Sequence, residues 1–296
     1  MPEIARKLNC ILLITTLLLT TCGFMANPVE ENEFPFGAGV FSWDHLPDDQ
    51  DIRCMLENNI TEIYQYIKPE YTEESIAIFL KKMADCDIDV YILDGEPEWC
   101  YAANYNYMEK VLDKAIYWNE KNKIHRMIRG IVFDIEPYVL DKWNKSPDEL
   151  LDGYISNLNK IKEENESREG HLKICTCIPY SYDIMGKNKY LRDFIRISDA
   201  VLVLNYYKGH EIENIKREAA LARWYKKKLV NVYELQPGLL SQTNNSITYY
   251  RDGLEAVNKN YDEILKTYPK HDIGVAYHTL NYLKVLSFDK KIDKDT

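Results

Sequence analysis

Apolar and polar positions along this chain fall into two alternating patterns. Short runs rich in β-branched and aromatic residues lie at 39–43, 62–67, 89–93, 130–135, 173–178, 200–204, 229–233 and 273–277, and these read as strands. Between them, apolar residues recur at helical spacing over 48–58, 72–86, 107–122, 147–165, 189–197, 211–227 and 247–268. Start signals support several helices. Thr72 precedes Glu73-Glu74-Ser75, and Ser146 precedes Pro147-Asp148-Glu149, so each helix opens on a cap residue with acids in its first turn. Eight strands alternating with helices predict an α/β protein, a single (β/α)8 barrel. A doubly wound open sheet is the alternative, and it is weakened because no glycine-rich nucleotide loop follows any strand.

The fourth strand carries the most chemistry. In a strand, alternate side chains share a face. Ile131, Phe133 and Ile135 fall on one face, and Val132, Asp134 and Glu136 on the other, before Pro137 stops the strand. Two carboxyls crowded at a strand exit suit general acid/base work, because crowding raises one pKa and leaves the other group ionised. The competing reading is a purely structural hydrogen-bonded pair.

In a barrel the active site lies at the carboxyl ends of the strands. Those ends read Trp43-Asp44-His45, Asp94-Gly95-Glu96-Pro97-Glu98-Trp99, Asp134 to Tyr138, Asn205-Tyr206-Tyr207, Glu234 to Gln236, and Tyr277-His278. Acids among aromatics fit a carbohydrate: aromatic faces stack on sugar rings and acids cleave the bond. The expected catalytic residues are Glu136, Asp134 and Glu234. The expected substrate-binding residues are Trp43, Asp94, Glu96, Trp99, Tyr138, Asn205, Tyr206, Tyr277 and His278. Plainer roles compete. Trp43 or Trp99 would simply close the barrel top, His278 would be a structural histidine, and tyrosines are abundant, with 23 in the chain.

The segment from Gly130 to Glu136 resembles the strand-four signature of chitinase-like family 18 glycoside hydrolases, Asp-Gly-x-Asp-x-Asp-x-Glu. Asp134 and Glu136 match its last two acids, while Arg129 and Val132 stand at the first two. Leu204-Asn205-Tyr206-Tyr207 keeps the tyrosine of that family's strand-six motif and loses its aspartate, and no tryptophan stands near Tyr277-His278. The chain also resembles a poorly characterised group of bacterial barrel lipoproteins through Asp94 to Trp99, Asp134 to Tyr138 and Ala276 to His278. The resemblance implies a barrel hydrolase with Glu136 as general acid. In the family 18 mode Asp134 orients the substrate's own 2-acetamido group, with Tyr206 helping to hold it. In the mode of many retaining barrel glycosidases a strand-seven glutamate attacks, and Glu234 falls there. A non-catalytic glycan-binding surface lipoprotein is the rival class, since fold does not fix function. A metal-dependent barrel using Asp134, Glu136, Asp94 and His278 is a further alternative; nothing in the spacing demands a cation, and no cofactor or metal is expected.

The amino terminus predicts a location outside the cytoplasm for this barrel. Arg6 and Lys7 precede an apolar run from Leu8 to Leu19 that is short for a membrane span, followed by Thr20-Thr21-Cys22. That grammar predicts a signal peptide at 1–21. Leu19-Thr20-Thr21-Cys22 resembles the bacterial lipobox, although threonine before the cysteine departs from its usual glycine, alanine or serine; lipidation falls on Cys22. Secretion or an uncleaved anchor is the alternative. A short tether at 22–36, a barrel at 37–288 and a charged tail at 289–296 complete the organisation. The expected partner is a polysaccharide or oligosaccharide, with membrane contact only through the N-terminal anchor. The net charge of -10 argues against nucleic acid. Beyond Cys10 and Cys22, the cysteines number five, which fits neither a disulfide framework nor a zinc site. Cys175 and Cys177 share one strand face and read as small buried hydrophobes.

Overall fold

The computed structural model describes residues 38–121, 128–168, 171–237 and 247–288. The leader, Cys22, the tether and the tail lie outside the described residues. Eight parallel strands form the sheet: β1 (Ala38–Ser42), β2 (Ile60–Tyr66), β3 (Asp89–Asp94), β4 (Ile128–Phe133), β5 (Lys173–Pro179), β6 (Ala200–Leu204), β7 (Lys228–Glu234) and β8 (Ile273–His278). They pair in chain order, and β1 closes the barrel on β8 through Gly39↔Ala276, Val40↔Tyr277 and Phe41↔His278. Closure excludes the open sheet. Around the barrel run α1 (Asp49–Glu57), α2 (Glu73–Asp85), α3 (Tyr105–Lys121), α4 (Pro147–Ser167), α5 (Asn188–Ile197), α6 (Glu211–Asn214), α7 (Lys216–Tyr225), α8 (Gly253–Thr267) and α9 (Leu280–Phe288).

Strand parity divides the core in two. Residues such as Ile63, Ile92, Ile131, Phe133, Ile174, Val201 and Leu229 face the helices and form the larger core. Phe41, Tyr64, Tyr91, Leu93, Val132, Cys175, Cys177, Leu202, Val230 and Ala276 fill the barrel interior. Fully burying one large apolar side chain is worth roughly 1.5–3 kcal/mol, so the helix-facing layer holds most of the apolar stabilisation. Inside, glycines make room for aromatics. A Cβ on Gly39 would lie 2.4 Å from the Tyr64 hydroxyl oxygen, and one on Gly130 would lie 2.9 Å from the Tyr91 ring. At the amino end of the barrel the Tyr64 hydroxyl donates to Glu62 at 2.9 Å, and Lys228 pairs with Glu62 at 2.7 Å. The free cysteines among the described residues include Cys175 and Cys177, both buried.

Several boundaries differ from the sequence expectation. Thr72 caps α2 by accepting from the Ser75 N–H, but Ser146 makes no side-chain cap; Pro147 and the acids Asp148 and Glu149 alone open α4. The helix expected over 211–227 breaks at Ile215, whose ψ of 5° leaves the helical range. Glu211 in α6 is buried and accepts from the Gly209 N–H, Asn260 and Tyr249, which anchors that short turn separately. The helix expected from 247 begins at Gly253, whose φ of +76° needs glycine. The residues before it fold back on β7, where the Tyr249 N–H donates to the Glu234 carbonyl at 2.9 Å. A last helix, α9, lies beyond the elements that the sequence pattern predicts; Leu280 and Leu283 bury it on the barrel.

Gly95 ties β3 to the exit of β4. A Cβ there would lie 2.3 Å from the Asp134 carbonyl oxygen, a backbone atom with no rotamer to escape into. Gly95→Ala should therefore cost on the order of 1–3 kcal/mol. Thermal melting should show Tm falling by roughly 2–4 °C per kcal/mol lost. An unchanged Tm would show that β3 and β4 separate freely at this point.

Candidate functional site

The ladder of β4 ends at Phe133, two residues earlier than expected, because Pro137 offers no N–H and opens a 3-10 turn over Pro137–Val139. One further bond continues it, from the Asp134 N–H to the Asp94 carbonyl at 3.0 Å. Parity survives past the ladder. Ile135 is buried in the helix-facing core and Val132 in the interior, so Asp134 points into the mouth of the barrel. Asp134 Oδ1 is buried and has no hydrogen-bond partner. Pairing of Val132 with Cys175 and Phe133 with Thr176 brings Cys177 alongside Asp134. Burial first, and then the charge of Glu136, push the Asp134 carboxyl up to about 6, while His278 and the Cys177 thiol pull it back. Glu136 is half-buried, and the Tyr138 hydroxyl donates to its Oε1. Burial, the Glu136 charge and that bond hold the Tyr138 phenol far above its ordinary range.

A second carboxyl faces the same mouth. Glu234 on β7 is the register partner of His278 on β8. Its Oε2 lies 3.0 Å from His278 Nδ1, and its Oε1 accepts the Gln236 backbone N–H at 2.7 Å. The Gln236 side-chain amide also reaches His278 Nδ1, at 3.0 Å. Tyr206 joins the two groups. Burial raises its phenol well above the usual value, and the charges of Glu234, Asp134 and Glu136 all add to that rise. Its ring lies 6.1 Å from the His278 ring. On the β1–β2 side, Trp43 and Tyr66 form an aromatic pair at 5.8 Å, and Tyr66 feels the charges of Asp94 and Glu96.

The remaining expected binding residues separate. Asp94 Oδ1 accepts the Gly95 N–H at 2.9 Å; burial raises its pKa, and that bond and Lys114 oppose the rise. Glu96 is exposed on the following loop. Trp99, Asn205 and Tyr277 are corrections, for they do not face the mouth. Trp99 is buried in the helix-facing core and stacks on Tyr107 at 5.7 Å. Asn205 is buried and donates to the Glu211 carbonyl and to Asn231. Tyr277 is buried against α8, and its hydroxyl reaches Asn258. Asn205 and Tyr277 alternate with inward residues and so must face outward. Gln236, which the sequence places at the strand-seven exit without a role, and Cys177, which it reads as a buried hydrophobe, also belong to the site. Among the described residues no group of three or more His, Cys, Asp or Glu is arranged to hold a metal ion.

The closed ring of eight parallel strands alternating with helices defines a (β/α)8 barrel protein. Solved structures with this fold include the spore cortex-lytic enzyme SleL of Bacillus megaterium, at 12% identity and TM-score 0.53, covering 86% of this chain and 74% of that one. A plant class V chitinase from Cycas revoluta, in complex with (GlcNAc)3, superposes at TM-score 0.55 with 9% identity, over 86% of this chain and 100% of that one. An intracellular xylanase of Thermoanaerobacterium saccharolyticum does so at 0.53 with 12% identity, over 82% and 85%. No protein-family model matches the chain, and no curated protein matches it in sequence.

The raised carboxyl of Asp134 makes a stability prediction. Its folded pKa of about 6 exceeds the unfolded 3.8, so ionisation at neutral pH disfavours the folded state. That penalty, on the order of 3 kcal/mol, is fully present above pH 6 and vanishes as pH falls through 6 toward 4. Asp134→Asn removes the ionisation. It should raise Tm at pH 7.5 and change it far less at pH 4.5; an equal shift at both values would show that Asp134 titrates normally.

Proposed function

We propose that this protein is an extracytoplasmic glycoside hydrolase with Glu136 as general acid and Asp134 as its support. The observation that carries this is the Asp134–Glu136 pair at the end of β4, with the buried Asp134 Oδ1 unpartnered and Glu136 held by Tyr138. The unpartnered oxygen is an unused acceptor in a site where polar groups are normally satisfied. A donor on a bound sugar would complete it. Trp43 and Tyr66 supply an aromatic wall suited to a pyranose ring. Barrels of the same fold act in chitinases and a xylanase, one of them in complex with a GlcNAc oligomer, which supports an oligosaccharide or polysaccharide as substrate.

Location belongs to the same proposal. The apolar leader and Cys22 support export, with the barrel held outside the cytoplasmic membrane by a lipid on that cysteine. No helix among the described residues is long and apolar enough to cross a membrane.

Two measurements test these readings. Glu136→Gln keeps the shape of the side chain and removes its proton-donating role. Turnover of glycan oligomers should fall on the order of 10²–10⁴-fold, with binding measured by calorimetry retained. Wild-type protein that binds a glycan and cleaves none in a broad screen would replace the hydrolase with a glycan-binding lipoprotein. For location, Cys22→Ala should move the protein out of the detergent phase or block its maturation. Unchanged partitioning would leave secretion or an uncleaved anchor.

A further inference from the structure

We infer that Glu234 and His278 form a carboxylate–imidazole dyad that presents His278 Nε2 as the base activating water, on the wall opposite Glu136. The inference rests on the hydrolase reading above and assigns the half of the reaction that Glu136 does not perform. Glu234 is only an acceptor when ionised, so its 3.0 Å contact with His278 Nδ1 requires the proton on Nδ1. Gln236 Nε2 stands 3.0 Å from the same nitrogen, and with the proton on Nδ1 the amide nitrogen and oxygen of Gln236 exchange places so that its oxygen faces that N–H. Nε2 is left with a bare lone pair, and it has no hydrogen-bond partner among the described residues. A carboxylate that fixes the tautomer and orientation of an imidazole makes a stronger proton acceptor at the far nitrogen.

The surroundings hold this arrangement in one place. Glu234 and His278 are register partners, and the Leu235 N–H donates to the His278 carbonyl at 2.8 Å, which extends the β7–β8 ladder past both side chains. Phe41 meets the imidazole edge-on at 5.4 Å from the next strand. Glu234 and His278 are only 12% and 17% exposed, so little water competes for their contact. Both Glu234 oxygens are engaged, one with His278 and one with the Gln236 N–H, which is a poor state for a carboxylate that must itself attack carbon. Glu234 is therefore a positioning residue and His278 the catalytic one.

Topology selects the outcome. In an eight-strand barrel closed in chain order, β8 stands across the mouth from β4. Acid and base on facing walls leave room for a water on the far side of the sugar ring. Inverting glycosidases use that geometry, with their two groups roughly 6.5–9.5 Å apart. A water O–H bond breaks and its proton passes to His278 Nε2. The water oxygen bonds the anomeric carbon, and the glycosidic C–O bond breaks with its electrons on the leaving oxygen. Glu136 gives that oxygen its proton. The reaction consumes one water and leaves an imidazolium and a Glu136 carboxylate, reset by proton exchange with solvent. No acetamido group on the substrate is needed.

Proton NMR of the first-formed product of wild-type cleavage should show the anomeric configuration inverted. Retention would overturn the inference and leave the hydrolase reading standing, with Glu234 or the substrate's acetamido group as nucleophile. His278→Asn should lower turnover on the order of 10²–10⁴-fold with binding kept, and a His278→Asn enzyme of near wild-type rate would also overturn it. Nitrogen-15 spectra of labelled imidazole, read without any substrate, should show His278 as the Nδ1–H tautomer in wild type and lose that preference in Glu234→Gln. An Nε2–H tautomer in the wild type refutes the dyad whether or not a glycan is cleaved. If no glycan is cleaved at all, the hydrolase reading fails, and the water-activating role of His278 falls with it.

Discussion

Closure of the sheet by β1 on β8 is the constraint on which the site depends. Strand parity alone decides which side chains point inward, but only closure makes separate strand exits converge on one mouth. The pairing of Phe41 with His278, and of Glu234 with His278, are two steps of the same continuous register. An open sheet would leave His278 on an edge, far from Phe41, and would not bring β4 round to face it. The aromatic packing inside the barrel serves this closure. Tyr64 and Tyr91 fill space that Gly39 and Gly130 leave empty, so the interior is dense below the acids.

That dense interior sets the electrostatics of the mouth. Water cannot approach Asp134 from below, where Val132 and Leu93 lie. A carboxyl so placed holds its proton to higher pH than a solvated one, and the neighbouring Glu136 strengthens the effect. The same burial that would tune a catalytic group costs folding stability at neutral pH. A structural ion pair would be expected to carry its compensation with it. Asp134 instead keeps an unpartnered oxygen, which is the kind of local inconsistency expected where a ligand completes the site.

Much of this was legible in the sequence for a physical reason: periods of two and of about 3.6 are imposed on the chain by burial. The eight strands and the inward direction of Asp134 follow from them. The misplaced residues come from reading strand exits as whole runs. Asn205 stands between inward Leu204 and Tyr206, and Tyr277 between inward Ala276 and His278, so parity already sent both outward. Trp99 follows Pro97 into a 3-10 turn that no strand rule governs. The contact between Glu234 and His278 was out of reach because it depends on the registers of two strands 44 positions apart in the chain. The breaks at Ile215 and Gly253 came from tertiary bonds and a positive φ, which helical periodicity does not sense.

The two missing acids of the strand-four signature illustrate how the interior and the site are coupled. Arg129 faces outward, exposed, and pairs with Asp89 at 2.7 Å, so that position contributes nothing to the mouth. Val132 does face inward, directly below Asp134, but it is packed among Tyr91, Leu93, Cys175 and Cys177. An acid at that place would be buried among apolar groups and weak thiol donors, at a cost of several kcal/mol unless paired. With valine there, Asp134 receives no carboxyl partner from beneath. Its compensating contacts come sideways instead, from Cys177 on β5 and from His278 across the mouth. Loss of the acid below and gain of an imidazole opposite are thus two sides of one electrostatic solution. The imidazole that faces the three carboxyls of this mouth is supplied by the strand that closes the barrel.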